Sequence, residues 1–310
     1  RLQERCAELL GKQAALFVPS GTMANQLAIR CQTQHGDEAL IERGSHPFNY
    51  EAAGAAAISG VQFIPLDGRR GLLEAPQIAE AVRPPAAYLA PTTLLCLENT
   101  HNRGGGSVYP LEQFVAVTAA ARQKNLRIHL DGARLFNACV AADVPPAEYA
   151  RHADTVSFCF SKGLGAPVGS VLAGPQQVIQ RALRYRRMLG GGWRQAGILA
   201  AAALYALDHH VERLAEDHAS ARRLAEGVAK IDGVRIDPDL VETNIVVMDI
   251  AKSPLDTPAA VARLADAGLL VVPFGPTLLR AVTHLDVDIE AIQEALRIIT
   301  AVFQGATSTH

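Results

Sequence analysis

The stretch TVSFCFSKGLGAPVGSVLAG, residues 155–174, decides how the chain folds and hints at what it does. Two apolar runs, 155–161 and 169–174, flank a lysine, Lys162, that is followed by Gly163 and Gly165. Runs this short, bounded by glycine and proline, read as buried strands. The first ends in Ser161-Lys162. Of 29 basic residues only five are lysine, namely Lys12, Lys124, Lys162, Lys230 and Lys252, so the choice of lysine here calls for a reason. A lysine amine becomes a nucleophile where burial or a nearby cation lowers its pKa. Arginine stays charged in such a place. Glycines after the lysine let backbone approach a ligand. A solvated lysine in a turn is the alternative for the residue taken alone.

Working outward, the same kind of run recurs at 38–42, 61–66, 92–99 and 126–133, with helical patterns between several of them, for example 111–124. Residues 2–10 read as a helix ending at Gly11, and 14–32 as a strand, a Ser20-Gly21-Thr22 turn and a helix. Strands alternating with helices predict a mostly parallel sheet covered on both faces, an α/β fold. From about residue 193 the pattern changes to a long helical stretch through 231. Apolar runs at 243–250, 269–275 and 278–285 follow, with helices at 257–267 and from 288. This predicts a large domain, 1–210, and a small α+β domain, 211–310, joined through a long connecting helix.

Composition narrows the function classes. Charged residues make up 19% and apolar residues 49%, as in ordinary globular proteins, and the formal charge is −2. Nothing there favours nucleic acid or an anionic membrane as a partner. The longest apolar candidate, AGILAAAALYAL (196–207), is far shorter than the roughly 18 residues a span requires; it reads as a helix buried between other helices or at a subunit interface. Five scattered cysteines without a C-x-x-C pair read as reduced thiols in a cytoplasmic setting, with no metal site. No signal peptide is visible. The chain opens at Arg1 with no methionine, which leaves room for an earlier segment.

In open parallel sheets ligands bind at the carboxyl ends of strands. Three candidate strands end in chemistry there: one in Asp131, one in Ser161-Lys162, and one in the run Asn99-Thr100-His101-Asn102. Asp131 is either a cap for the helix that follows or a carboxylate that keeps a pyridine nitrogen protonated. The turn PSGTMAN (19–25) either caps a helix or presents N–H groups to a phosphate. The stretch 184–197 sets Arg184, Arg186, Arg187 and Arg194 around three glycines, which suits either a solvated helix end or an anion site. His46, in SHPFNYEA, lies among Phe48 and Tyr50, where a stacking role competes with a structural one.

Taken together, SGTMAN, SHPFNYEAAGAA, LENTHNRGGG, HLDGARLFNA, SFCFSKGLGAPVGSVLAG, GGGWRQAGILAAAALYAL and VTHLDV resemble the low-specificity L-threonine aldolases, pyridoxal-phosphate enzymes of the aspartate-aminotransferase-like group, fold type I. The resemblance spans nearly the whole chain. It implies retro-aldol cleavage of L-threonine, L-allo-threonine and related β-hydroxy-α-amino acids to glycine and an aldehyde. Lys162 would hold pyridoxal phosphate as a Schiff base, beside Ser161, and Asp131 would pair with the ring nitrogen. His46 would stack on the ring and take the hydroxyl proton, assisted by Glu51. Gly21 and Thr22 would bind the phosphate, helped by Arg187 or Arg194 from a neighbouring subunit. Arg134 and Arg280 would grip the substrate carboxylate, and His101 would lie near the substrate hydroxyl. The resemblance also implies a homotetramer, a dimer of dimers with sites at subunit interfaces.

One departure stands out. Members of that family start some tens of residues earlier, with a serine that helps hold the substrate carboxylate; without it, anchoring rests on Arg134 and Arg280. Three hypotheses follow: the aldolase, a β-eliminating lyase or aminotransferase using the same Lys162 and Asp131, and a catalytically silent scaffold on the same fold.

Overall fold

The structure is a computed structural model and describes residues 1–307. Its contacts divide the chain into two compact units, Arg1–Gly104 with Val108–Glu212, and Gly105–Ser107 with the chain from Arg213 on.

The first unit runs α1 (Leu2–Leu9), β1 (Ala14–Val18), α2 (Gly21–Gln32), β2 (Glu38–Glu42), α3 (His46–Asn49), α4 (Gly54–Ser59), β3 (Gln62–Leu66), α5 (Ala75–Ala81) and β4 (Thr92–Glu98). It continues with α6 (Leu111–Gln123), β5 (Arg127–Gly132), α7 (Leu135–Ala142), α8 (Pro146–Ala150), β6 (Thr155–Cys159), β7 (Ser170–Gly174), α9 (Gln176–Met188) and α10 (Gly197–His209). The strands form one seven-stranded sheet in the order β1-β7-β6-β5-β4-β2-β3. β2 to β6 pair in parallel; β7 runs antiparallel to both β6 and β1. Every residue of β2, β6 and β7 is buried, so both faces of the sheet are covered, as parallel sheets require. That is why these strands read as continuous apolar runs rather than as alternation.

Register decides what the site contains. Glu98, Asp131 and Ser157 are partners across β4, β5 and β6, and Cys96, His129 and Thr155 form the row one pleat earlier. Residues two apart share a face, so His129 and Asp131 look the same way, as do Thr155 and Ser157. Helix α2, started by Ser20 accepting from Met23 N–H, packs on β5, β6 and β7.

The second unit holds α11 (Leu214–Val228), β8 (Ile245–Asp249), α12 (Thr257–Asp266), β9 (Val272–Pro273), β10 (Leu278–Val282) and α13 (Ile289–Thr307). Its three strands form an antiparallel sheet, β8-β10-β9. Its core is aliphatic: Val246, Met248, Leu279, Leu224, Leu264, Ile292 and Ile299 are all buried, with Phe303.

Two expectations need correction. The long connecting helix is two helices, α10 and α11. They part where the His210 ring donates from Nδ1 to the Leu164 carbonyl at 2.6 Å and where Arg213, at the cap of α11, pairs with Asp217 at 2.6 Å. The acidic Glu216 and Asp217 then stabilise a fresh helix start. Nor is α10 buried between other helices of its own chain: Ile198 is 80% exposed and Tyr205 59%, and only Ala203, Ala206 and Leu207 are buried.

Candidate functional site

The carboxyl ends of β2, β4, β5 and β6 supply Glu42, Glu98, Asp131 and, just past β6, Ser161 and Lys162. Asp131 is almost fully buried. Its Oδ1 accepts from Ala133 N–H at 3.0 Å, so it does tighten the turn before α7, while Oδ2 accepts from Asn25 Nδ2 at 2.7 Å. The Asn25 amide donates also to Glu51 Oε1, at 2.8 Å. Glu51 in turn takes His46 Nδ1 at 2.9 Å on the same oxygen, and Gln26 Nε2 at 2.6 Å on the other.

His46 opens α3 and is anchored at both ends: its backbone N–H donates to Glu98 Oε2 at 2.7 Å and its ring to Glu51. The ring is partly exposed and lies against Tyr50, centroids 5.5 Å apart. The hydrogen bond to Glu51 raises its pKa, against burial, with Asp131 adding to the rise and Lys162 opposing it. Lys162 therefore stands within electrostatic reach of His46. Burial pushes the Glu51 carboxyl upward, and its three N–H donors hold it back.

One ligand atom each from His46, Glu51 and Asp131 lies within 4.8 Å of the others. The same three residues would make a cation site were the space between the carboxylates not bridged by the Asn25 amide, which turns donors toward both.

His101 sits on the loop after β4 and is sealed in, 1% exposed. A Cβ on Gly71 would fall 2.1 Å from its ring, so only glycine, at φ +84°, fits over it. Gly104 N–H donates to Nδ1 at 3.0 Å, which leaves Nε2 to donate to Glu42 Oε2 at 2.9 Å. Burial favours the neutral ring; the Glu98 charge and the Glu42 hydrogen bond outweigh it and raise the pKa.

The other sequence candidates lie as follows. Gly21 and Thr22 occupy the first turn of α2, where a Cβ on Gly21 would meet Cys159 Sγ at 2.9 Å. Arg134 caps α7 and is half-buried; Ser161, Arg187 and Arg194 are exposed. Arg280 belongs to β10 of the second unit, with its guanidinium over the Phe274 ring at 5.0 Å. Within the first unit the structure thus gathers His46, Glu51 and Asp131, with Lys162 and His101 in their electric field.

The sequence reading missed Asn25, Gln26, Glu42, Glu98, His129 and Ser157. A signal was present: His129 and Asp131, like Thr155 and Ser157, are polar residues alternating in otherwise apolar strands, and Asn25 and Gln32 are seven apart on one helix face.

An amine, a buried carboxylate, a flat imidazole and a tight helix start are the complement of an aldehyde, a ring nitrogen, an aromatic ring and a phosphate. The residues present fit pyridoxal phosphate.

Comparison with known proteins agrees with that chemistry. The family described as beta-eliminating lyase matches over residues 1–251. The low specificity L-threonine aldolase of Escherichia coli strain K12 is 40% identical over 296 residues, covering 94% of this chain and 85% of the relative. The solved threonine aldolase of Leishmania major superposes with a TM-score of 0.79 at 19% identity, covering 97% of this chain and 87% of the other. Serine palmitoyltransferase from Sphingomonas wittichii superposes with a TM-score of 0.78 at 18% identity, covering 99% and 76%.

Proposed function

We infer the chemistry of the site from one premise: the chain belongs to the beta-eliminating lyase family, among the low-specificity L-threonine aldolases. It is a pyridoxal-phosphate-dependent lyase that cleaves threonine-type β-hydroxy-α-amino acids to glycine and an aldehyde. The observation that carries the assignment of roles is the cluster of His46, Glu51 and Asp131, with Lys162 within electrostatic reach of His46.

Bound pyridoxal phosphate supplies an electron sink for the pair released when the Cα–Cβ bond breaks. In our reading Lys162 provides the amine that anchors it, and Asp131 keeps a proton on the ring nitrogen. Gly21 and Thr22, at the positive end of α2, hold the phosphate. Ser161 stands next to the anchoring lysine, and Arg187 or Arg194 of a second copy completes the phosphate site. Arg134 holds the substrate carboxylate. His46, oriented through Nδ1 by Glu51, takes the β-hydroxyl proton at Nε2 as the aldehyde departs. His101 stays in our reading as a neighbour of the substrate hydroxyl, but its sealed ring, engaged by Glu42 and Gly104, supports no direct proton transfer.

We further propose a homotetramer, supported by the exposed apolar side chains Ile198 and Tyr205 on α10 and Met188 at the end of α9. The division into domains 1–210 and 211–310 remains our reading as well. All five cysteines are free and buried, which supports a cytoplasmic location. No helix among the described residues is long and apolar enough to cross a membrane.

The test is product identification. Protein supplied with pyridoxal phosphate and L-allo-threonine or L-threonine is expected to release acetaldehyde and glycine in equal amounts. A keto acid with ammonia instead would assign the site to β-elimination.

A further inference from the structure

A continuous polar seam runs through the apolar core between α2 and the sheet. Gln32 Nε2 donates to Thr155 Oγ1 at 2.7 Å, Thr155 Oγ1 lies 2.8 Å from His129 Nδ1, and His129 Nε2 lies 3.0 Å from Asn25 Oδ1. Ser157 Oγ donates to the same Asn25 oxygen at 3.0 Å. All five side chains are buried to 99% or more.

The protons in this seam can be placed one after another. Gln32 Nε2 donates to Thr155 Oγ1, and the Thr155 hydroxyl is placed with its own proton on His129 Nδ1, because Asn25 Oδ1 at the other ring nitrogen can only accept. Nδ1 then carries the lone pair and Nε2 the hydrogen. Asn25 Oδ1 accepts that hydrogen, which turns both Nδ2 protons the other way, one to Asp131 and one to Glu51.

We propose that Asn25 is a positioning residue: its amide holds Asp131 and Glu51 side by side as two carboxylates, and the seam from Gln32 through Thr155 and His129 fixes the direction in which that amide faces. Two anions this close repel unless donors stand between them. Reversing the amide would set a third oxygen against the pair. Burial supports the placement by holding His129 neutral, its pKa pushed down to about 4.

The other ionisable groups facing the pair come from α3, β4, β5 and the loops after β4 and β6: His46, Cys96, Glu98, His129, His101 and Lys162. Among them His46 holds the Glu51 carboxyl down through its hydrogen bond, and Cys96 stays a neutral thiol, its pKa raised by burial and by the pair itself. The role of Asp131 toward the cofactor rests on the proposed function; the proton placement does not.

The test therefore uses the protein with and without pyridoxal phosphate. Nitrogen-15 NMR of the histidine-labelled chain is expected to show His129 as the Nε2–H tautomer in both forms; the Nδ1–H tautomer would overturn the proposal. In Asn25→Asp, carbon-13 titration of the side-chain carboxyls in the cofactor-free protein is expected to show proton uptake by the Asp131–Glu51 pair moved upward by about one pH unit or more. The acid limb of kcat/KM for the loaded enzyme should move with it. An unchanged carboxyl titration would overturn the clamp. An altered titration with no change in the rate profile would retain the clamp but remove Asp131 from the chemistry. Should Asn25→Asp not fold, Asn25→Ala, which removes both donors and adds no charge, is read in the same way and shifts in the same direction.

Discussion

The two units solve the problem of buried polar groups in opposite ways. In the second unit most of the buried polar side chains satisfy backbone, Asp217 with its Arg213 partner apart: Thr243 donates to the Gly106 carbonyl, Asn244 to Thr283, Thr283 to Asp217 and Thr257 to Pro276. They lock loops around an aliphatic core, and their partners are fixed by chain geometry. In the first unit Asn25, Gln32, Glu51, His129, Asp131, Thr155 and Ser157 bond to one another instead, with only Gln32 Oε1 of this set left over. A network of that kind stays stable only if every member is paired. The difference shows where a fold gives up the economy of an apolar core: where charge has to be held in a set place.

The comparison breaks most sharply at Lys162. Lys162→Ala is expected to lower aldehyde release at least about 1,000-fold, because the anchoring amine is gone. Thermal melting separates that loss from unfolding. Retained turnover would remove the first unit's claim to the chemistry.

Phe303→Ala probes the other side. It opens a hole in the second unit's core and is expected to cost about 3–5 kcal/mol in urea denaturation, with kcat unchanged for the molecules that remain folded. A loss confined to kcat would mean that this core serves the site directly.

Acid should weaken each unit through one histidine. Burial holds both His129 and His218 down to about 4. The unfolded chain binds their protons first, so the stability each contributes is complete above about 6.5 and is lost as pH falls toward their folded values. The expected loss is about 3 kcal/mol per histidine by pH 4. His218→Gln should remove one share of that slope, and an unaltered slope would refute the assignment.

The smallest effect sharpens the site itself. In Glu51→Gln, His46 loses the hydrogen bond that raises its pKa. Because a raised pKa keeps the base protonated to higher pH, the acid limb of kcat/KM should move to lower pH in the variant. The plateau should fall about tenfold as the ring loses its orientation. A limb that moves upward would exclude His46 as the base.

Much of this was legible without coordinates. The strand ends at Asp131 and Lys162, the α/β alternation and the turn before α2 follow from local pattern. What was misread turned on contacts between distant residues. The helical stretch from 193 reads as one piece although polar residues punctuate it near His209 and His210; the chain does part there, where the Leu164 carbonyl accepts from His210. The alanine-rich α10 reads as buried between helices or at a subunit interface because its residues are small and apolar; within this chain much of it faces outward, which removes only the first of those readings.

The amino-acid order by itself determined which reactive groups exist and that strand ends would carry them, since periods of 2 and 3.6 are written in neighbouring residues. Only the tertiary structure decided their partners. Asn25 meets Glu51 26 residues away and Asp131 106 residues away, and His101 meets Glu42 under Gly71. A hydrogen bond is made or lost within a few tenths of an ångström. Such pairings are set by the register of β4, β5 and β6 and by where α2 lies across them, which no local pattern can specify.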